Sequence, residues 1–352
     1  MIFLMNFYNH LLCQDGIKFR YFKKDSISLN EFYSKDELNN KRLILVGETH
    51  FQKKNNDLFL KNVYYLSKNS VINGLLLEEG YCTGYIIDQL INNNDVELAK
   101  GNLSNKEIKF FLEVRRKREY GFEKIIGVDY EKSSSAILQS ILHLSKSQNS
   151  VFRPEILNTA LANNWDEQYT TNNEKILIDI YTDWQRDSSQ YYTFFNKNYN
   201  VFRLMIKSYT SYVKYSKFDF NECFDSTLIV SREEFIAQNI KQVLDTTEIN
   251  YYGQFGSLHI PYTIQEENYL GRCDYLWESC VSYLSKLGYQ NKILSIQVIY
   301  RKFGIEFYKH FLDSKFQNYS SYFEYRKRGI GILIDNDSNL FKNTFGLIIF
   351  VY

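Results

Sequence analysis

Short apolar runs punctuated by glycine recur along this chain, and between them apolar residues return at helical spacing. Arg42 to Val46 (RLILV), closed by Gly47, reads as a buried parallel strand. From Phe51 to Lys68 the apolar positions Leu58, Val63 and Leu66 keep a roughly helical period. Gly74 to Leu77 (GLLL) predicts a second strand ending in Glu78-Glu79-Gly80. Asn105 to Tyr120 predicts a charged helix with Ile108, Phe111, Leu112 and Val114, and Lys124 to Val128 (KIIGV) a third strand ending at Asp129. Strand, helix, strand, helix, strand at this spacing indicates parallel βαβ units.

The pattern then changes. From Ser133 to about Phe224 the chain reads as mostly helical, too long for a simple crossover, with a tyrosine stripe at Tyr209, Tyr212 and Tyr215 expected to pack into a core. Ser226 to Asp245 predicts one long helix, with Ser231-Arg232-Glu233-Glu234 as its capped start and an apolar face of Phe235, Ile236, Ile240, Val243 and Leu244. Glu248 to Gln254 (EINYYGQ) predicts a strand, Cys273 to Leu287 a helix, Lys292 to Tyr300 a long strand and Phe345 to Val351 a terminal strand. The expectation is an N-terminal extension over 1–40 and one α/β domain over 41–352, built on a parallel or mixed sheet flanked by helices. A helical insertion at about 133–225 is expected to cover part of a cleft and shape substrate choice.

Composition narrows the functions this architecture can carry. The chain of 352 residues is long enough for a large α/β domain with insertions, or for two smaller domains. Basic and acidic residues nearly balance, 42 against 41, so no net field draws the chain to nucleic acid or an anionic membrane. A small-molecule or peptide substrate is the expected partner. Five cysteines (Cys13, Cys82, Cys223, Cys273 and Cys280) form no CxxC pair and read as buried or free thiols, which favours a reducing compartment and a cytoplasmic location. Met1 to Cys13 lacks the basic start and small residues of a signal peptide, and no uninterrupted apolar run is long enough for a membrane span. The absence of GxSxG, Walker and GxGxxG patterns argues against serine α/β-hydrolases, P-loop enzymes and Rossmann dehydrogenases.

The candidate chemistry sits at the strand ends. Gly47-Glu48-Thr49-His50 and Gly256-Ser257-Leu258-His259 each follow a predicted strand, so two of five histidines are delivered to a sheet rim. Glu78, Glu79 and Asp129 close the other strands, and the sequence reading gathers these residues in one cleft. A histidine flanked by a carboxylate can take a proton from water near neutral pH, and His50 with Glu48 or Glu78 has those parts. His50, His259 and Glu78 could instead hold a divalent metal. Arg232 either pairs with Asp129 or Glu78 or faces a substrate anion, and Asn239, seven residues on, shares its helix face. His50, alone in having an acidic neighbour two positions away, is expected to be the proton acceptor, with His259 accessory. His10, His143 and His310 read as surface or structural, and Arg115 to Arg118 as a solvated helix face.

The ordered set of GETH after a strand, Glu-Glu after a strand, Gly127-Val128-Asp129, the helix REEFIAQN (Arg232 to Asn239) and GSLH after a strand resembles the erythromycin esterase-like, ChaN-like and TraB/Tiki superfamily, over roughly Lys41 to Tyr352. The resemblance implies an α/β fold with the motif residues gathered in a cleft. In esterase-like members the first-motif histidine activates water, which assigns that role to His50, helped by Glu48, Glu78 or Glu79 and His259. Arg232 and Asn239 match the polar face of the motif helix, and Asp129 takes an orienting place. Tiki-like members imply a metal-dependent peptidase, and ChaN-like members imply haem binding without turnover. The second motif of the esterases is richer in histidine than GSLH, which weighs against macrolide hydrolysis. The expectation is a hydrolase that requires no cofactor.

Overall fold

The structure, a computed structural model, describes residues 19–23, 34–48, 50, 54–118, 121–148, 152–162, 170–216, 226–260, 265–268, 274–300, 330–335 and 347–351. In chain order the strands are β1 (Phe19–Lys23), β2 (Leu43–Glu48), β3 (Gly74–Gly80), β4 (Lys124–Asp129), β5 (Tyr251–Gly256), β6 (Gln265–Asn268), β7 (Asp274–Trp277), β8 (Ile293–Tyr300), β9 (Ile330–Asp335) and β10 (Leu347–Val351). The architecture is α/β. Contacts divide the chain into two units, Met1–Leu75 with Lys117–Tyr120 and Cys223–Tyr352, and Leu76–Arg116 with Gly121–Glu222.

In the first unit the strand order is β1-β9-β10-β8-β2-β5. The centre is parallel, with β2 between β8 and β5 and β10 beyond β8, and the edge is antiparallel, β10 to β9 and β9 to β1. The sheet is therefore mixed, and β1 brings part of the expected N-terminal extension into it. Its central strands are nearly all apolar: Leu43, Ile44, Leu45 and Val46 are buried, as are Tyr251, Tyr252 and Phe255. Strands covered on both faces need side chains of this kind at every position. The helix Lys54–Lys68 turns Leu58, Phe59, Val63 and Leu66 inward, and the Phe59 ring meets Tyr252 at 5.4 Å. The long helix Ser226–Thr246 buries Ile236, Ala237, Ile240, Val243 and Leu244. Arg42, at the foot of β2, gathers that helix's C-terminal end by donating to the carbonyls of Leu244, Thr247 and Ile249.

The second unit holds the rest of β3 beside β4, the helices Tyr81–Asp88, Val96–Lys100 and Asn105–Lys117, and five further helices: Ser134–Lys146, Glu155–Ala162, Thr170–Arg186, Ser188–Phe195 and Tyr199–Tyr215. The expected helical stretch is helical, and it packs in the same unit as β4. Gly84 lets the helix Tyr81–Asp88 lie directly on β4, where a Cβ would run into the backbone of Ile126 and Gly127, and Gly127 lets β4 approach the end of β3, where a Cβ would run into the carbonyls of Glu79 and Gly80. Its N-terminus is closed by Glu131, which accepts hydrogen bonds from the Cys82 and Thr83 amides and the Thr83 hydroxyl. Burial is the main cause that pushes the Glu131 carboxyl above its ordinary range.

Four expectations need correction. The long helix starts at Ser226, so Ser231 lies inside it and is not its N-cap. The stretch Cys273–Leu287 is only partly helical: Asp274–Trp277 pairs antiparallel with Gln265–Asn268, and a helix runs over Cys280–Leu284 from a Ser279 cap. The tyrosine stripe is half-buried while Phe202, Met205 and Ile206 form the buried face of its helix, because a step of three residues drifts around a 3.6-residue helix. Arg115 is not solvated: it is half-buried and donates to the carbonyls of Ile91 and Asn92. His143 has the structural role expected, with Asp95 at 3.0 Å and Tyr85 at 2.9 Å, whereas His10 and His310 lie outside the described residues. Cys82 and Cys280 are buried free thiols, and Cys13, Cys223 and Cys273 lie outside the described residues. Among the described residues no helix is long and apolar enough to cross a membrane.

Candidate functional site

The two GxxH segments meet at one glycine. In the parallel register of β2 and β5, Glu48 stands opposite Gly256, so both positions face the same side of the sheet. Gly256 has no side chain to fill the space, and both histidines use it. A Cβ built there would lie 2.6 Å from His50 Nε2 and 3.3 Å from His259 Cδ2. The structure therefore brings His50, Glu48 and His259 together in the first unit, although more than half the chain separates them.

Their environments differ. The His50 side chain is 54% exposed, with Nδ1 3.5 Å from Glu48 Oε1. His259 is 6% exposed, and its Nδ1 lies 2.7 Å from Oε1 of Glu233, itself 1% exposed. That contact has the length of a hydrogen bond without its direction. Glu233 also accepts the Cys280 amide at 2.9 Å, while the Cys280 thiol donates to the His259 carbonyl at 3.0 Å. The next carbonyl, that of Ile260, accepts from Ser295 at 2.5 Å. The short turn Ser257–His259 is thus pinned from the helix Cys280–Leu284 and from β8, which fixes where His259 stands.

Glu233 lies in the core and not at a helix cap. It occupies the buried stripe of its helix, three and four residues before Ile236 and Ala237 and seven before Ile240. A carboxylate at a core position needs a partner. The apolar periodicity of the helix carries that signal, and the cap-like run Ser231 to Glu234 masks it. His259 thus also has an acidic partner, supplied by another element and not, as for His50, from two positions away. Arg232 and Asn239 are half-buried on the same helix.

The other expected residues belong to the second unit. Glu78 and Glu79 are consecutive within β3, so their side chains leave opposite faces of the strand. Glu79 meets Lys132 at 3.4 Å, and Lys132 also donates to the Glu78 carbonyl. Burial raises the Glu79 carboxyl above its ordinary range, with Lys132 pulling the other way. Asp129 accepts the Tyr130 amide at 2.7 Å. Among the described residues no three His, Cys, Asp or Glu side chains are grouped so as to hold a metal ion.

No protein-family model and no curated protein matches the chain in sequence. Solved structures do resemble it in shape. An erythromycin esterase, EreC, in a histidine mutant captured in its open conformation, superposes with a TM-score of 0.61 at 11% identity, covering 95% of this chain and 97% of that one. A Bacillus cereus protein gives 0.60 at 14% identity over 93% and 92%, and a succinoglycan biosynthesis protein 0.56 at 11% identity over 93% and 92%. At these identities the likeness is one of fold. The chain has the α/β fold of the erythromycin esterase-like structures, as its ordered motifs lead one to expect.

Proposed function

We propose that the chain is a hydrolase in which His50 takes a proton from water as that water attacks an ester or related acyl bond. The observation that carries this reading is the arrangement at Gly256, where an open histidine and a closed one share a single gap and each has its own carboxylate. Water must reach the base, which selects the exposed ring of His50. Glu48 beside Nδ1 favours the tautomer that presents Nε2 as acceptor and stabilises the imidazolium as it forms. The water oxygen bonds to the acyl carbon while its proton passes to Nε2. When the acyl–oxygen bond breaks, that proton passes to the departing alkoxide.

His259, held by Glu233 and shut from solvent, has an accessory role in this reading, and Arg232 and Asn239 are assigned to binding the substrate. Glu78, Glu79 and Asp129 carry no step in it. The fold shared with an esterase supports the choice of an acyl bond by analogy only. The test is a screen of ester and peptide substrates, with and without chelator, on protein purified without added metal. Chelator-resistant ester hydrolysis that disappears in His50→Asn is expected. Chelator-sensitive peptide cleavage, or a Soret band on haem addition without turnover, would contradict the reading.

A further inference from the structure

A chain of side chains runs from the core to His50 through a residue that no motif contains. On β5, Tyr252 and Gln254 are two apart and face the same side of the sheet as Glu48 on β2. The Gln254 amide nitrogen donates to Glu48 Oε2 and, at 3.0 Å, to the Asn55 carbonyl. Its oxygen accepts the Tyr252 hydroxyl at 3.1 Å, and that hydroxyl accepts from Asn62 Nδ2 at 3.1 Å. Tyr252 and Asn62 are buried.

The polarity of this chain is determined at its Gln254 link. Both N–H bonds of the Gln254 amide are committed to acceptors that cannot donate, a carboxylate and a backbone carbonyl. Turning the amide over would set its oxygen against both of them, so only one orientation is allowed. With Oε2 held in this way, Oε1 is the oxygen left facing His50 Nδ1. A half-buried carboxylate at the end of a strand would otherwise sample several rotamers, and its contact with an exposed histidine would count for little. Amides do not relay protons along such a chain, so its role is orientation.

We propose that Gln254 is a positioning residue: backed by Tyr252 and Asn62, it fixes the Glu48 carboxylate on Nδ1 of His50 and so sets which ring nitrogen of His50 carries the proton. This deepens the proposed function, because the Nδ1–H tautomer is the one that leaves Nε2 able to accept a proton.

The experiment reads the tautomer directly, from the ring ¹⁵N shifts of His50 in the full-length protein at a pH where the ring is neutral. Nδ1–H is expected to predominate in the wild type. Gln254→Leu is expected to abolish that excess, and Tyr252→Phe, which keeps the ring against Phe59 and removes only the hydroxyl, is expected to reduce it. Should Gln254→Leu fail to fold, the Tyr252→Phe shift still decides. Unchanged tautomer populations in the folded variants would overturn the inference, as would a wild type in which Nε2–H predominates. In assays with an ester substrate, kcat should fall with KM nearly constant. The shifts are read without any substrate, so the two readings fail separately. A Gln254-dependent tautomer in a protein that hydrolyses nothing keeps the inference and sinks the hydrolase, whereas His50-dependent hydrolysis with a tautomer indifferent to Gln254 does the reverse.

Discussion

At the scale of the residue, His50 and His259 share a gap and little else. One is open to water with a carboxylate 3.5 Å away, and the other is sealed against a carboxylate at 2.7 Å. His259 and Glu233 therefore matter to stability as well as to any chemistry. Glu233→Gln keeps an acceptor for the Cys280 amide but removes the charge that meets His259, and a loss of about 1–3 kcal/mol is expected for one compromised buried partner. Thermal melting checks this, and an unchanged melting temperature would contradict the pairing. Gly256→Ala tests the gap itself. The new Cβ would crowd His50 Nε2, and because that ring is exposed it should swing away. Hydrolysis should then drop sharply in a protein that still folds, and retained activity would show that the close approach is not needed.

At the scale of the element, the strands were legible wherever an apolar run met a glycine. The two GxxH turns could be read because strand alternation and register follow from local pattern, but the partner of His259 could not. Glu233 reaches His259 across a tertiary contact, and its only trace in the sequence is a charge on an apolar stripe. Gln254 left a similar trace, a polar residue two positions before Gly256 on the same strand face. Asp274–Trp277 is too short at four residues to display a period of its own, and its pairing with Gln265–Asn268 makes it a strand. Glycines within elements carry their own prediction. Gly127→Ala should destabilise by at least the 1–3 kcal/mol or so typical of overpacking, because the facing atoms are the backbone carbonyls of Glu79 and Gly80 and cannot turn aside. A melting temperature within a degree of wild type would contradict the close packing of this strand.

At the scale of the whole molecule, near-neutral charge and buried carboxyls set the response to pH. With a net charge of +1 and an isoelectric point near 7.5, self-repulsion is weak, and a solubility minimum close to that pH is expected by light scattering. Stability has a different dependence. Burial raises the Glu131 and Glu79 carboxyls, so the folded chain holds their protons to higher pH than the unfolded chain does. Their contribution is fully present below the ordinary value of 4.5 and is lost as pH rises through the raised folded values. Glu131→Gln removes the Glu131 part of this titration. Its melting temperature relative to wild type should therefore rise as pH increases from about 4.5, and a difference independent of pH would show that folding does not raise the Glu131 carboxyl.

In the proposed function, an exposed histidine at the end of β2 is the proton acceptor of a hydrolase. The most direct test compares steady-state hydrolysis of the best ester from the screen by wild type, His50→Asn and His259→Asn, with melting temperatures taken alongside. His50→Asn should lose about a hundredfold to ten-thousandfold in kcat with its melting temperature nearly unchanged, while His259→Asn keeps measurable turnover on a less stable fold. Equal and complete loss at both positions, reversed or modulated by added zinc or manganese, would contradict the account and make the two histidines metal ligands.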